Sequence, residues 1–144
     1  MKKVLIIYHS QTGNTGAMAK AVVEGALAGG ATVVMKKAVD ADEKDILDCD
    51  VVAFGTPNYF SYMAGMVKDY FDRVWPVIRD KMENKPYVAF GSYGGGGMPA
   101  IESLEKICDN MSMTRLFDSI GVQRQPTPEN LKACEELGKK IAEL

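Results

Sequence analysis

VLIIYHSQTGNTG, residues 4–16, decides how the rest of the chain is read. Residues 4–8 are apolar without a break, as a strand covered on both faces requires. A polar turn follows, in which Ser10, Gln11, Thr12, Asn14 and Thr15 surround Gly13. Beyond it Met18, Val22 and Ala26 recur at four-residue spacing with Ala17 and Ala21 beside them, and Gly29-Gly30 ends the pattern. The order is strand, loop, helix.

The same alternation continues outward. Residues 31–35 and 51–54 read as two more strands, the second of them stopped by Gly55-Thr56-Pro57. Val67, Phe71, Val74 and Ile78 keep helical spacing, residues 87–90 form a fourth apolar strand, and Ile101, Leu104, Cys108 and Met111 mark another helix. A weaker strand falls within residues 116–122, and Leu131, Cys134, Leu137, Ile141 and Leu144 line a last helical face. No repeat or linker interrupts the series. Five strands alternating with four helices imply right-handed parallel crossovers, hence a doubly wound α/β fold with a five-stranded parallel sheet. At 144 residues the chain fits one domain, residues 1–144, that buries roughly 68–70% of its unfolded surface.

Composition narrows the function. The net charge is −2 and the basic residues are scattered, so the concentrated cationic face that nucleic acid demands is absent. The opening MKKVLIIYHS has too short an apolar run for a secretory leader, and no later run approaches membrane length. Cys49, Cys108 and Cys134 are far apart, without a C-x-x-C and with His9 as the sole imidazole. Buried, unreactive thiols in a reducing cytoplasm are expected rather than a metal site or disulfides.

In an open α/β sheet, ligands bind beyond the carboxyl ends of the strands. Three unusual loops leave those ends: residues 10–15, 56–64 and 92–98. The first presents helix-start N–H groups and neutral hydroxyl and amide donors, which suit an anion. Helix capping alone would account for one such residue; the four Ser, Thr and Asn residues around Gly13 (Ser10, Thr12, Asn14 and Thr15) point to an anion site. A nucleotide-hydrolysing P-loop requires a lysine here, a low-molecular-weight phosphatase a cysteine and arginine, and a response-regulator receiver an acidic pocket, and none is present. G-x-G-x-x-G is missing, and Lys36-Lys37 stands where a ribose-binding acid belongs in a dinucleotide fold. The remaining ligand is a phosphomonoester whose organic part reaches the other two loops. There Tyr59, Phe60, Tyr62 and Tyr93 are suited to cover a planar ring, and Gly94, Gly95, Gly96 and Gly97 to let backbone approach its polar edge. The second loop has no glycine between Gly55 and Gly65; Asn58 is the residue best suited to a positive φ in it.

With these motifs in view, the chain resembles the flavodoxin superfamily. SQTGNT resembles the loop that holds the phosphate of flavin mononucleotide (FMN) in flavodoxins. GTPNYFSYMAGMVKDYFDR resembles the second loop and helix of flavodoxin-like quinone reductases, and AFGSYGGGG the third loop of the flavodoxin modules of flavodiiron proteins. LGKKIAEL is similar to the family's last helix. The resemblance implies strand order 2-1-3-4-5 with FMN at the reversal between strands 1 and 3. It also implies a short-chain form, since residues 114–126 leave no room for the long-chain insertion. Carried over, Ser10, Gln11, Thr12, Gly13, Asn14 and Thr15 hold the phosphate, and Thr56, Pro57 and Ser92 line the ribityl chain. Asn58, Tyr59 and Phe60 lie along one face or edge of the ring, Tyr93 along the other, and Gly94 to Gly97 near its pyrimidine edge.

Two functions follow from the resemblance. One is an FMN-binding electron carrier between redox partner proteins, a monomer or small homo-oligomer without nucleic-acid or membrane partners. The other is an FMN-dependent NAD(P)H:quinone oxidoreductase. The short chain favours the carrier; the nearly neutral charge and the quinone-reductase-like second loop favour the enzyme. Lone His9 is expected to bond locally, and Trp75 and the nine methionines to pack.

Overall fold

The computed structural model describes residues 1–144. Its parallel strands are β1 (Lys3–Tyr8), β2 (Thr32–Lys37), β3 (Val51–Tyr59), β5 (Pro86–Tyr93), β6 (Thr114–Arg115) and β7 (Ile120–Gln123). A two-residue strand, β4 (Tyr62–Met63), pairs antiparallel with β3. The order is β2-β1-β3-β5, with β6 on the first half of β5 and β7 on its second half. Together β6 and β7 make the fifth strand, broken by residues 116–119, so the order 2-1-3-4-5 holds.

Alternation along each strand feeds both faces. Val4, Ile6, Ala53, Val88 and Phe90 pack under α1 (Asn14–Ala28) and α5 (Pro128–Ala142). Leu5, Ile7, Val52, Phe54 and Ala89 pack under α2 (Glu43–Asp48), α3 (Gly65–Ile78) and α4 (Pro99–Asn110). Two-sided burial is why the runs read as continuous rather than alternating. Where α1 and α5 cross, the backbones touch: a Cβ on Gly25 would lie 1.8 Å from the Glu135 carbonyl oxygen, and one on Gly138 2.1 Å from that of Val22.

Four expectations need correction. There are five α-helices, not four; α2 buries only Ile46, so it carries no apolar period, and it is instead started by a capping box in which Asp42 Oδ1 accepts from the Lys44 and Asp45 amides. The third strand does not stop at Gly55-Thr56-Pro57. It runs on to Tyr59, with Pro57 opposite Ser92, because β1 has ended opposite Gly55 and proline is tolerated at a strand's free margin. The fourth strand likewise runs on through Ser92 and Tyr93. Lastly, Asn58 does not take a positive φ. It sits in β3 opposite Met63, while Phe60 (φ 52) and Ser61 (φ 60) form the two-residue turn of the β3–β4 hairpin. Both are left-handed, as a primed hairpin turn demands, at a cost of roughly 1–2 kcal/mol per residue for side chains other than glycine.

Candidate ligand site at the sheet rim

The reversal in strand order lies between β1 and β3, and the loops after these strands and after β5 meet there around a cavity of about 240 Å³. From the first loop Ser10, Gln11, Thr12, Asn14 and Thr15 line it; from the second, Pro57, Asn58 and Tyr59; from the third, Ser92, Tyr93 and Gly94. Gly13, Thr56, Phe60, Gly95, Gly96 and Gly97 stand outside that lining.

Each wall is held by identifiable bonds. Gly13, at φ 99, starts α1 without any side-chain cap, and no acidic residue stands in the first turn. Ser10 Oγ accepts from the Gly16 amide at 3.0 Å. The amides of Asn14 and Thr15, in the same turn, have no carbonyl four residues back to bond, so the positive end of α1 opens onto the cavity. Thr15 Oγ1 and Ser92 Oγ share a buried bond of 2.7 Å that ties this helix start to the end of β5.

Thr56 is wholly buried; its hydroxyl donates to the Pro57 carbonyl and accepts from the Ala64 amide, closing the hairpin from below. Asn58 Oδ1 accepts from the Ala100 amide at 3.0 Å, and the Met63 amide donates to Ser103 Oγ, so the hairpin is bolted to the first turn of α4. At its tip Phe60 is fully exposed, with Tyr62 and Met66 partly so. His9 packs edge-on against Tyr59, its ring centroid 6.0 Å away. Burial and the nearby charge of Lys37 hold the His9 imidazole below its ordinary pKa, and burial pushes the Tyr59 phenol up.

In the third loop Gly96 (φ 76) and Gly97 (φ 73) require glycine, and no atom lies within 4 Å of where a Cβ on any of Gly94 to Gly97 would stand. This backbone is therefore bare and approachable. Gly91 is different: its Cβ would lie 2.0 Å from the Thr56 carbonyl oxygen, so only glycine lets β3 and β5 come together there.

One lining residue has no forerunner in the sequence reading. Arg124, just past β7, is the only charged side chain on the cavity wall. The end of the weak fifth strand was not locatable from its pattern, so nothing marked the residue that follows it. A larger cavity of about 520 Å³ lies away from the rim, between the start of β1 and α2. Its Lys3 is already paired with Asp48 at 2.7 Å.

Ligand loops flanking the point where a 2-1-3-4-5 sheet reverses direction define the flavodoxin-like class of doubly wound proteins. Comparison with known proteins agrees. The sequence profile described as Flavodoxin matches residues 6–138. A flavodoxin of Aquifex aeolicus is 34% identical across 99% of this chain and 86% of its own length. An NAD(P)H dehydrogenase (quinone) of Archaeoglobus fulgidus is 27% identical across 100% of this chain and 97% of its own. A solved flavodoxin from the domain Archaea matches with a TM-score of 0.89 at 26% identity, covering 98% of this chain and 96% of that one. The chain belongs to the flavodoxin family. No helix is long and apolar enough to cross a membrane.

Proposed function

We propose that the rim cavity binds FMN and that the protein carries electrons between redox partner proteins. The observation that carries this reading is a single cavity walled by neutral donors and the positive end of α1 on one side and by Tyr59, Tyr93 and the open backbone of Gly94 on the other. Bound there, FMN would supply the redox-active ring, and the protein's part is to hold it and govern access. The residues fit the group. Ser10 to Thr15 offer hydroxyl, amide and backbone donors to a phosphate, with Gly13 giving the turn. Pro57 and Ser92, over buried Thr56, flank the route from phosphate to ring; Asn58, Tyr59 and Phe60 offer one border for the ring and Tyr93 the other, with Gly94 to Gly97 presenting amides. The exposed apolar tip at Phe60, beside Tyr62 and Met66, gives a partner protein a surface adjoining the site. Three buried free thiols fit a reducing compartment such as the cytoplasm.

A second reading, an FMN-dependent NAD(P)H:quinone oxidoreductase, draws on the likeness to the Archaeoglobus fulgidus protein and on the low net charge of −2. Anaerobic addition of NADH and NADPH to the flavin-loaded protein separates the two. The carrier keeps its visible flavin absorbance with either nucleotide on the timescale of turnover; rapid bleaching by one of them overturns the carrier reading in favour of the reductase.

A further inference from the structure

The only charged side chain lining the rim cavity is that of Arg124, and no carboxylate shares the wall with it. It extends from the carboxyl end of β7, on the far side of β5 from the first loop. Two bonds anchor it to the third loop: its own amide donates to the Tyr93 carbonyl at 2.6 Å, and the neighbouring Gln123 Nε2 donates to the Gly94 carbonyl at 3.0 Å. Its backbone is left-handed (φ 58), a conformation glycine or asparagine would adopt more cheaply, yet an arginine occupies it. None of the fold's ion pairs uses its guanidinium, although every other arginine in the chain has a carboxylate within 4 Å. The phosphate-type loop, by contrast, has its own positive helix end and neutral donors and needs no cation.

We propose that Arg124 is the charge-setting residue of the site: its guanidinium stands at the third-loop wall to favour the reduced, anionic form of the flavin ring over the oxidised, neutral form. This rests on the FMN reading above. Two-electron reduction takes up two electrons and one proton, the electrons delivered by a redox partner protein or a chemical reductant, so the ring gains one net negative charge. A cation beside that ring interacts with the product and hardly with the reactant. For unit charges ~6 Å apart in a partly hydrated site of effective dielectric ~40, the preference is about tenfold. The more negative form is then bound more tightly and the midpoint potential rises, by ~30 mV per tenfold for a two-electron couple.

The test is an anaerobic dithionite titration against reference dyes, at mildly alkaline pH, of the FMN and riboflavin complexes of the unaltered protein and of Arg124→Gln, Arg124→Lys and Arg124→Glu. Because Arg124 is an exposed residue bonded only through its backbone, the variants are expected to fold, which circular dichroism verifies. Arg124→Gln should lower the two-electron midpoint by ~30 mV, tenfold, with either flavin. Arg124→Lys should restore most of it, Arg124→Glu should lower it further, and added salt should shrink every difference. An unmoved midpoint in Arg124→Gln overturns the inference, as does an equal loss of oxidised and reduced affinity. A loss seen with FMN and not with riboflavin also overturns it, since the charge would then serve the phosphate. Failure of the FMN reading is a different result: unaltered protein that takes up no flavin at all refutes that reading, and the role of Arg124 with it.

Discussion

The buried bond between Thr15 and Ser92 joins the start of α1 to the end of β5, and its removal is the most informative single perturbation of the rim. The Thr15 and Ser92 residues are 1% and 5% exposed, and their hydroxyl oxygens stand 2.7 Å apart. Ser92→Ala deletes one partner and leaves the Thr15 hydroxyl buried without a hydrogen bond, a loss of roughly 1–3 kcal/mol. At about 2–4 °C per kcal/mol for a domain of this size, melting should fall by roughly 2–12 °C. Thr15→Val strands the Ser92 hydroxyl and should cost a similar amount. The double variant strands neither, so it should be less destabilised than the sum of the singles by ~1 kcal/mol or more. Thermal unfolding of the four ligand-free proteins, followed by circular dichroism, measures the cycle. Additivity to within about 0.5 kcal/mol would show that the two hydroxyls are not coupled and would refute this description of the rim.

Other perturbations have equally definite outcomes. Gly138→Ala would put a methyl group 2.1 Å from the Val22 carbonyl oxygen, so α5 must move off α1; a loss of ~3 kcal/mol in urea unfolding is expected, and an unchanged midpoint would contradict the close crossing. Replacing Phe60-Ser61 by Asn-Gly supplies side chains suited to two left-handed residues, so stability should rise by about 1 kcal/mol; a fall would mean that the hairpin turn is of another type. His9 has its folded pKa below the unfolded value of 6.5, first through burial and then through Lys37. The unfolded chain therefore binds the proton more readily. The stability linked to His9 is whole above about pH 6.5 and is lost as pH falls toward the folded pKa. His9→Gln should flatten that part of the profile of urea midpoint against pH, and an identical profile would contradict it.

Much of the fold was legible because its central strands, β1, β3 and β5, are buried on both faces. A run such as Val4 to Tyr8 admits few other readings, and the glycines and polar residues after three such runs marked the loops that meet at one rim. What escaped detection did so for physical reasons. Helix α2 buries a single side chain, Ile46, and so leaves no period to find; its signal was the Asp42 and Asp45 capping pair. The hairpin at Phe60-Ser61 carries none of the Asn-Gly chemistry that announces such a turn, because its left-handed conformation is imposed by pairing and by the bonds of Asn58 and Met63 to α4. Asn58 was suited to a positive φ by propensity alone, but its side-chain Oδ1 accepts from the Ala100 amide, and the strand claims it. The fifth strand is split, and in β7 only Val122 is buried, so its end, and with it Arg124, had no address in the pattern.

The central claim, that the first loop holds the phosphate of a bound flavin, is tested most directly by titrating ligand-free protein and Thr12→Ala with FMN and with riboflavin while following flavin fluorescence. Hydrogen bonds to a charged group contribute roughly 1.5–3 kcal/mol each, about ten- to a hundredfold in affinity. The expected result is one FMN bound per chain, far more tightly than riboflavin, with Thr12→Ala weakening FMN by that factor and leaving riboflavin nearly untouched. Equal affinity for the two flavins, or equal losses for both in Thr12→Ala, would contradict it.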